Sequence, residues 1–521
     1  MIESLRRPEA YDHAVGTIQR LETHISWVLL TGEYAYKIKK PVDLGFVDFS
    51  SLEKRRWFCE EEVRLNRRLA ADLYLGVRAI HGPADRASFA GSGPVIDWAV
   101  QMRQFPQEAL MSAALEAGHI EPRHWIELAD RLAAFQAAAA VVRDGEAATA
   151  GFGTPDVVRA VAQANLEALA VSPEARDARP ALQRWTDDTM IRLAPLVDRR
   201  RCSGRVREGH GDLHLGNMVF LDDRIRVFDC LEFNADLRWI DVISELAFLV
   251  MDLAGHGLDQ DGVRVLNRWL DRTGDYTGLA LWRWYVVYRA LVRAKVAALR
   301  QQQAGPASPE APALAAAVGD YVRQAEATID APPGQLVITR GVSGSGKSHV
   351  SRRLCDHLGW IHLRSDAERK RLFGHWGTGA DEAGSVDIPH LYAPATTERL
   401  YGEVLPEQAE SVLRAGFSVV VDATFLKARH RRVMAEVARR CGARFRILDC
   451  PVAESVARDR IGHRRQLGGD PSDADAAVLA RQGTAMEPLS PAEQPVTVTV
   501  DTTTSDLELV TAAALRESPD S

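Results

Sequence analysis

Gly341-Val342-Ser343-Gly344-Ser345-Gly346-Lys347-Ser348 matches GxxxxGK[ST], the phosphate-binding loop of P-loop proteins. Upstream, Gln335-Leu336-Val337-Ile338-Thr339 is an apolar, β-branched run that reads as a buried strand. Downstream of His349, the apolar residues Val350, Leu354 and Leu358 have helical spacing. The loop thus joins a strand to a helix N-terminus, where free backbone N–H groups and the helix dipole favour phosphate. The glycines let the backbone wrap a β-phosphate, Lys347 reaches the β- and γ-phosphates, and the Ser348 hydroxyl suits Mg²⁺. Residues Gly341 to His349 are therefore the expected nucleotide contacts. The alternative is an ordinary glycine-rich turn. A P-loop implies nucleotide binding and leaves open what is done with the nucleotide.

The 521 residues imply two or three domains. A hydrophobic content of 46% and a charged content of 26% are those of a globular protein in water. A net charge of −7 argues against a dedicated polyanion binder, though not against a local basic face. Cys59, Cys202, Cys230, Cys355, Cys441 and Cys450 lack CxxC spacing and read as reduced thiols. The N-terminus has no apolar signal core, and no run of about 18 apolar residues occurs. The expectation is a cytoplasmic protein without a membrane partner.

In the first part of the chain, Ser26–Leu30 and Tyr34–Lys39 read as antiparallel strands joined by a turn at Thr31-Gly32-Glu33. Lys37 or Lys39 either points at a phosphate or decorates a solvated strand end. A helix follows over 51–69, and its acids Glu60, Glu61 and Glu62 offer a partner for the lysine. Asp97–Phe105 reads as a strand, and residues 122–142 as an apolar helix.

The chemistry of this part concentrates in His210-Gly211-Asp212-Leu213-His214-Leu215-Gly216-Asn217 and in Val227-Phe228-Asp229. Strands at 218–221 and 225–228 flank the turn Asp222-Asp223 and form a hairpin, which brings Asn217 and Asp229 to one end. Asp212 lies five residues before Asn217. This constellation suits phosphoryl transfer: one aspartate accepts the proton of a substrate hydroxyl, while the amide and the second aspartate hold Mg²⁺. A transition-metal site at His210, Asp212 and His214 and a purely turn-capping role are the competing readings.

HGDLHLGN followed by VFD resembles the catalytic loop and metal aspartate of aminoglycoside phosphotransferase-like kinases, which share the protein-kinase fold and its Asp-to-Asn spacing. The resemblance implies a two-lobed, α+β kinase-like domain. It implies Asp212 as catalytic base, Asn217 and Asp229 as Mg²⁺ ligands, His210 as a loop support, and Lys37 paired with Glu62 at the ATP. Asp241 resembles an aspartate that braces the site. No GxGxxG precedes the lysine strand; Glu22-Thr23-His24-Ile25-Ser26 stands in its place.

Gln301–Pro312 reads as an exposed loop, a helix follows over about 313–328, and Ala331-Pro332-Pro333-Gly334 reads as the boundary. The expected division is 1–330 and 331–521, the second an α/β domain with a mainly parallel sheet. There, Trp360–Asp366 reads as a strand and turn that places Asp366 beside the P-loop, to accept a hydroxyl proton, with Arg369 holding an acidic group of the substrate. A capping role for Asp366 is the alternative. Val419-Val420-Val421-Asp422 looks like a Walker-B strand whose acid supports Mg²⁺, and Ala423 follows where a water-activating glutamate stands in AAA+ motors. Arg460 and Arg464 lie one turn apart on a basic helix and suit a lid over phosphates. GVSGSGKS, RSDAERKRL, VVVDATFL and the arginine helix with GGDPSDAD resemble the small P-loop kinases grouped with gluconate kinase, 5′-polynucleotide kinases and zeta-type toxins. The whole chain resembles a bacterial fusion of these two kinase types. The expected function is ATP- and Mg²⁺-dependent phosphoryl transfer to small hydroxyl substrates. The alternatives are a P-loop kinase with a regulatory first domain, and a nucleic-acid end-processing kinase.

Overall fold

The computed structural model describes residues 1–45, 47–143, 145–146, 149–330, 334–377, 391–467 and 476–503, with only the backbone of 464–467 and 476–477. The chain forms two compact units. Unit 1 comprises Met1–His124, Ala138–Val161 and Arg192–Leu249; unit 2 comprises Trp125–Ala137, Ala162–Ile191 and Val250–Ser521. Among the described residues no helix is long and apolar enough to cross a membrane.

Unit 1 is built on an antiparallel five-stranded sheet of order β1-β2-β3-β5-β4, from β1 (Gln19–Glu22), β2 (Ser26–Leu30), β3 (Tyr34–Lys39), β4 (Tyr74–His81) and β5 (Val95–Arg103). The period of two along β3 decides what each face does. Tyr36 and Ile38 enter an apolar cluster with Leu5, Leu29 and Phe89. Ala35 instead joins Cys59 and Val63 of helix α1 (Leu52–Ala70), so Lys37 and Lys39 share its face. The Ser51 hydroxyl caps α1 by accepting from the Lys54 N–H at 3.1 Å. The hairpin β7 (Met218–Leu221) and β8 (Arg224–Val227) follows β6 (Val206–Glu208). Its turn residues Asp222 and Asp223 both take positive φ, +50° and +61°, as a two-residue hairpin turn requires. β9 (Trp239–Asp241) pairs with β6.

Two expected helix limits shift. The helix predicted over 122–142 ends at Ala138, because Val141 bridges to Arg207 in extended conformation. The loop predicted from Gln301 is helical up to Ala304, and the turn falls at Gly305, where φ is +78°.

Unit 2 carries the helices α7 (Asp259–Thr273), α8 (Trp282–Ala304) and α9 (Ala311–Ile329), named after α2 to α6 at Met111–Glu116, Pro122–Ala138, Pro155–Ala168, Arg179–Cys202 and Val242–Gly255. It also holds a five-stranded sheet of order β11-β12-β10-β13-β14, from β10 (Gln335–Arg340), β11 (Ile361–Arg364), β12 (Val419–Asp422), β13 (Arg444–Asp449) and β14 (Thr497–Thr499). Every pairing in it is parallel. Val337, Val420 and Leu448 of the sheet pack on Val350 and Leu354 of α10 (Lys347–Leu358). Helix α11 (Ser365–Arg371) starts directly after β11. The fold class is thus a two-lobed protein-kinase-like α+β domain followed by an α/β P-loop domain, as the sequence predicts.

Arg431 fastens the end of unit 2. It is almost wholly buried, and it bonds Glu493 through Nε at 2.7 Å and the carbonyls of Phe425, Leu426 and Pro488. Removing one partner of a buried ion pair strands the other. Arg431→Ala is expected to cost about 3–5 kcal/mol, read as a lowered urea midpoint of the full chain.

Candidate active sites

In unit 1 the residues of the His210–Asn217 loop lie together as their spacing predicts. Asn217 Nδ2 donates to Asp212 Oδ2 at 2.8 Å and to the Asp212 carbonyl at 2.9 Å. The Phe228 N–H bonds the Asn217 carbonyl at 3.0 Å, which sets Asp229 beside the loop. Asp229 itself has φ +61°, and its N–H donates to the Tyr74 hydroxyl at 3.2 Å. Lys37 Nζ lies 2.9 Å from Glu62 Oε1 and 2.6 Å from Asp229 Oδ1. The lysine strand, α1 and the Asp229 segment are therefore joined by charge.

The sequence posed a choice between Lys37 and Lys39, and the structure engages both. Lys39 is fully buried; its Nζ donates to Glu62 Oε2 at 2.7 Å and also to Glu232. Burial alone would raise the Glu62 carboxyl, but the two lysines outweigh it and hold it at about 2. Burial likewise opposes the charge on Lys37, and Asp229 and Glu62 reverse that, raising it well above its usual value. Glu232 and Asn66, whose Oδ1 accepts from the Cys230 N–H at 2.8 Å, are supports that the sequence reading did not assign. Glu232 stands three residues after Asp229, and that proximity was the available signal.

His210 Nε2 donates to the Phe228 carbonyl at 2.9 Å, and Nδ1 accepts from the Asp212 N–H at 3.3 Å. These two bonds suit the Nε2–H tautomer, and burial lowers the pKa of the ring. With both nitrogens engaged, His210 is a loop support and is not open to a transition metal. The brace of the loop backbone differs from the expectation. Asp241 grips Arg200 at 2.7 and 2.9 Å. It is Glu245, one helical turn later, that accepts from the N–H groups of His210 and Gly211.

In unit 2 the P-loop runs from β10 into α10. Gly344 and Gly346 take φ +80° and +89°. A Cβ at Gly344 would meet the Ala457 carbonyl oxygen at 2.4 Å, so the close approach there requires glycine. Gly341, Val342 and Ser345 shape the loop: Val342 O accepts from Lys347 Nζ at 2.7 Å, and Ser345 O accepts from the Thr502 hydroxyl at 2.8 Å. A cavity of about 650 Å³ is lined by Ser343, Gly344, Gly346, Lys347, Ser348 and His349, and also by Asp366, Arg369, Asp422 and Arg460. His362 Nε2 donates to Asp422 Oδ2 at 3.2 Å. Burial would raise the Asp422 carboxyl, but the His362 bond, the Arg364 charge and the Ser348 hydroxyl hold it at about 2.

Asp366 is the second residue of α11, at the helix opening where the sequence reading put it. Arg369 is buried; its NH1 donates to the Leu391 carbonyl at 2.8 Å and the Thr397 hydroxyl at 3.2 Å, and the guanidinium lies over the Tyr392 ring. Its Nε has no hydrogen-bond partner among the described residues. Arg460 bonds Thr502 through NH1 at 2.9 Å and NH2 at 3.1 Å. The side chain of Arg464 and the stretch 468–475 lie outside the described residues.

The chain thus carries a protein-kinase-like domain and a P-loop domain, and residues 336–489 match the AAA domain family AAA_33. It is 31% identical over 472 residues to the uncharacterized protein Rv2004c of Mycobacterium tuberculosis, an overlap of 88% of either chain, and it belongs to that protein's family. Among solved structures, a choline/ethanolamine kinase family protein from Mesorhizobium loti aligns at 13% identity over 64% of this chain and 94% of its own, with a TM-score of 0.39. A sugar kinase from Janibacter sp. HTCC2649 aligns at 21% identity over 36% of this chain and 97% of its own, with a TM-score of 0.27.

Glu62→Gln leaves the buried Lys39 and the half-buried Lys37 without their shared charge, and is expected to cost about 3–5 kcal/mol at pH 7. Because the folded carboxyl sits at about 2, below its ordinary value, its contribution is complete above the ordinary value and is lost as pH falls toward 2. The stability gap between wild type and Glu62→Gln, from denaturant melts, should therefore narrow as the pH falls from about 5 to about 3. A gap that stays constant over that range would contradict the assignment.

Proposed function

We propose that this protein is an ATP- and Mg²⁺-dependent phosphotransferase with two sites, one in residues 1–330 and one in 331–521, each acting on hydroxyl groups of small molecules. The observation that carries the reading is the single cavity over the P-loop. There the phosphate-binding residues Lys347 and Ser348 and the acids Asp366 and Asp422 line one space. Asp366 would accept the proton of the acceptor hydroxyl, while Lys347 and Arg460 offset charge on the transferring phosphoryl group. Mg²⁺, when bound with nucleotide, neutralises phosphate charge; the hard oxygens of Ser348 and an ionised Asp422 suit it. In unit 1, Asp212 plays the part of the base, Asn217 and Asp229 offer the cation-binding oxygens, and Lys37 is set to meet phosphate.

A second reading keeps catalysis in the P-loop site and gives unit 1 a regulatory role. It is favoured by the turn at Thr23–Ile25, where the Thr23 N–H bonds the Ser26 carbonyl at 2.9 Å in place of a glycine-rich loop. The contact of Lys37 with Asp229 also favours it, since the lysine is already spent on a carboxylate.

Phosphate transfer from labelled ATP to sugars, amino alcohols, aminoglycosides, nucleosides and 5′-hydroxyl oligonucleotides separates the readings. Wild type, Asp212→Ala and Lys347→Ala are compared side by side. The two-site reading expects one product lost with each variant, with a fall of at least about 10³-fold. Products lost only with Lys347→Ala would support the regulatory reading. If Lys347→Ala bound Mg²⁺–ATP and turned over like wild type, the P-loop assignment would fail.

A further inference from the structure

β11 is an edge strand. On its inner side the Ile361 N–H bonds the Ser418 carbonyl at 2.9 Å, next to β12. Its outer side presents the Trp360 carbonyl and the His362 N–H. Both are met by one side chain of α7: Asn267 Nδ2 donates to Trp360 O at 2.9 Å, and Asn267 Oδ1 accepts from His362 N at 2.8 Å. A carboxamide offers the same donor and acceptor as a peptide group, so Asn267 stands in for one rung of a neighbouring strand. Arg264, on the same helix, donates to Asp356 of α10 at 3.0 Å.

One turn beyond Asn267, Asp271 is 5% exposed; its Oδ2 accepts from Arg268 NH1 at 3.2 Å and lies 4.0 Å from Arg364 NH1. Its Oδ1 is buried without a hydrogen-bond partner among the described residues. Its carbonyl accepts from Arg371 NH2 at 2.7 Å and from the Trp376 indole at 2.9 Å. Arg364 lines the P-loop cavity and stands opposite Asp422 in the β11–β12 register. Asn267 therefore fixes the backbone of the histidine that holds Asp422, and Asp271 shares the arginine whose charge acts on Asp422.

We propose that Asn267 and Asp271 of α7 are positioning residues of the P-loop site, setting the His362–Asp422 pair and Arg364 so that Asp422 can take a divalent cation with nucleotide. This rests on the reading of the cavity as a Mg²⁺–nucleotide site. Without Asn267, the edge strand can shift and His362 loses its register. Without the Asp271 charge, less of the Arg364 charge is offset on the α7 side, and more of it acts on Asp422 in competition with the cation.

The test uses the full chain and measures ATP binding by calorimetry across a Mg²⁺ titration and in EDTA. Wild type, Asn267→Ala, Asp271→Asn and Lys347→Ala are compared, with melting temperatures alongside. Both α7 variants should need about tenfold more Mg²⁺ for half-saturation while their ATP binding in EDTA stays as in wild type. A purely structural role would lower the melting temperature and weaken binding equally with and without Mg²⁺. Should Asn267→Ala fail to fold, Asp271→Asn, which keeps the carbonyl contacts to Arg371 and Trp376, decides alone. A wild-type Mg²⁺ dependence in Asp271→Asn overturns the proposal and leaves the site reading intact. Equal ATP binding by wild type and Lys347→Ala overturns the site reading, and the proposal with it.

Discussion

A carboxylate buried and ionised is unstable unless cations and donors meet it inside the protein, and both candidate sites are built around one. In unit 1 it is Glu62, out of contact with solvent and shared by Lys37 and Lys39. In unit 2 it is Asp422, met by His362 and Ser348. Each fixes more than itself. Glu62 ties α1 to β3, and through Lys37 and Lys39 it reaches Asp229 and Glu232. Asp422 ties the end of β12 to β11 and to the first turn of α10. The elements that carry the proposed chemistry hang on these two charges.

The order of the chain explains why such distant residues meet. The alternation of β3 turns two lysines toward α1 because Tyr36 and Ile38 claim the opposite, apolar face. The turn at Asp222-Asp223 then returns the chain so that Asp229 comes to Asn217 and, across the unit, to Lys37. A shift of one residue in β3 would put both lysines into the apolar cluster, so the register of the strand and the charge network specify each other.

Much of this was legible in the sequence. The GxxxxGKS loop, the Asp212–Asn217 spacing and the hairpin to Asp229 are local patterns, and the folded chain joins them as the spacing implies. What the sequence did not give was whatever depends on contacts distant in the chain. Glu245 holds the N–H groups of His210 and Gly211, while the buried Arg200, 41 residues away in the chain, grips Asp241. Lys39 reads as either a phosphate contact or a strand-end charge until Glu232, 193 residues on, is seen beside it. β14 was invisible because its three residues, Thr497–Thr499, are too few to show a period. Arg369 reads as a ligand contact from its place after Asp366, but the carbonyl of Leu391 and the Thr397 hydroxyl take two of its bonds.

Composition puts the expected boundary near residue 331, yet the compact unit that contains the P-loop includes α7 to α9. The reason lies in the parallel sheet. A parallel sheet buries both faces but leaves two edges with unpaired peptide groups, and an edge beside a charged cavity must be held in register as well as covered. β11 is such an edge, and it carries His362 and Arg364 toward Asp422. Asn267 meets the open peptide groups, while Arg264 pairs with Asp356 of α10. A helix that precedes the P-loop by some 70 residues in the chain thereby completes its sheet, so the boundary drawn by composition and the boundary drawn by hydrogen bonding differ for a physical cause.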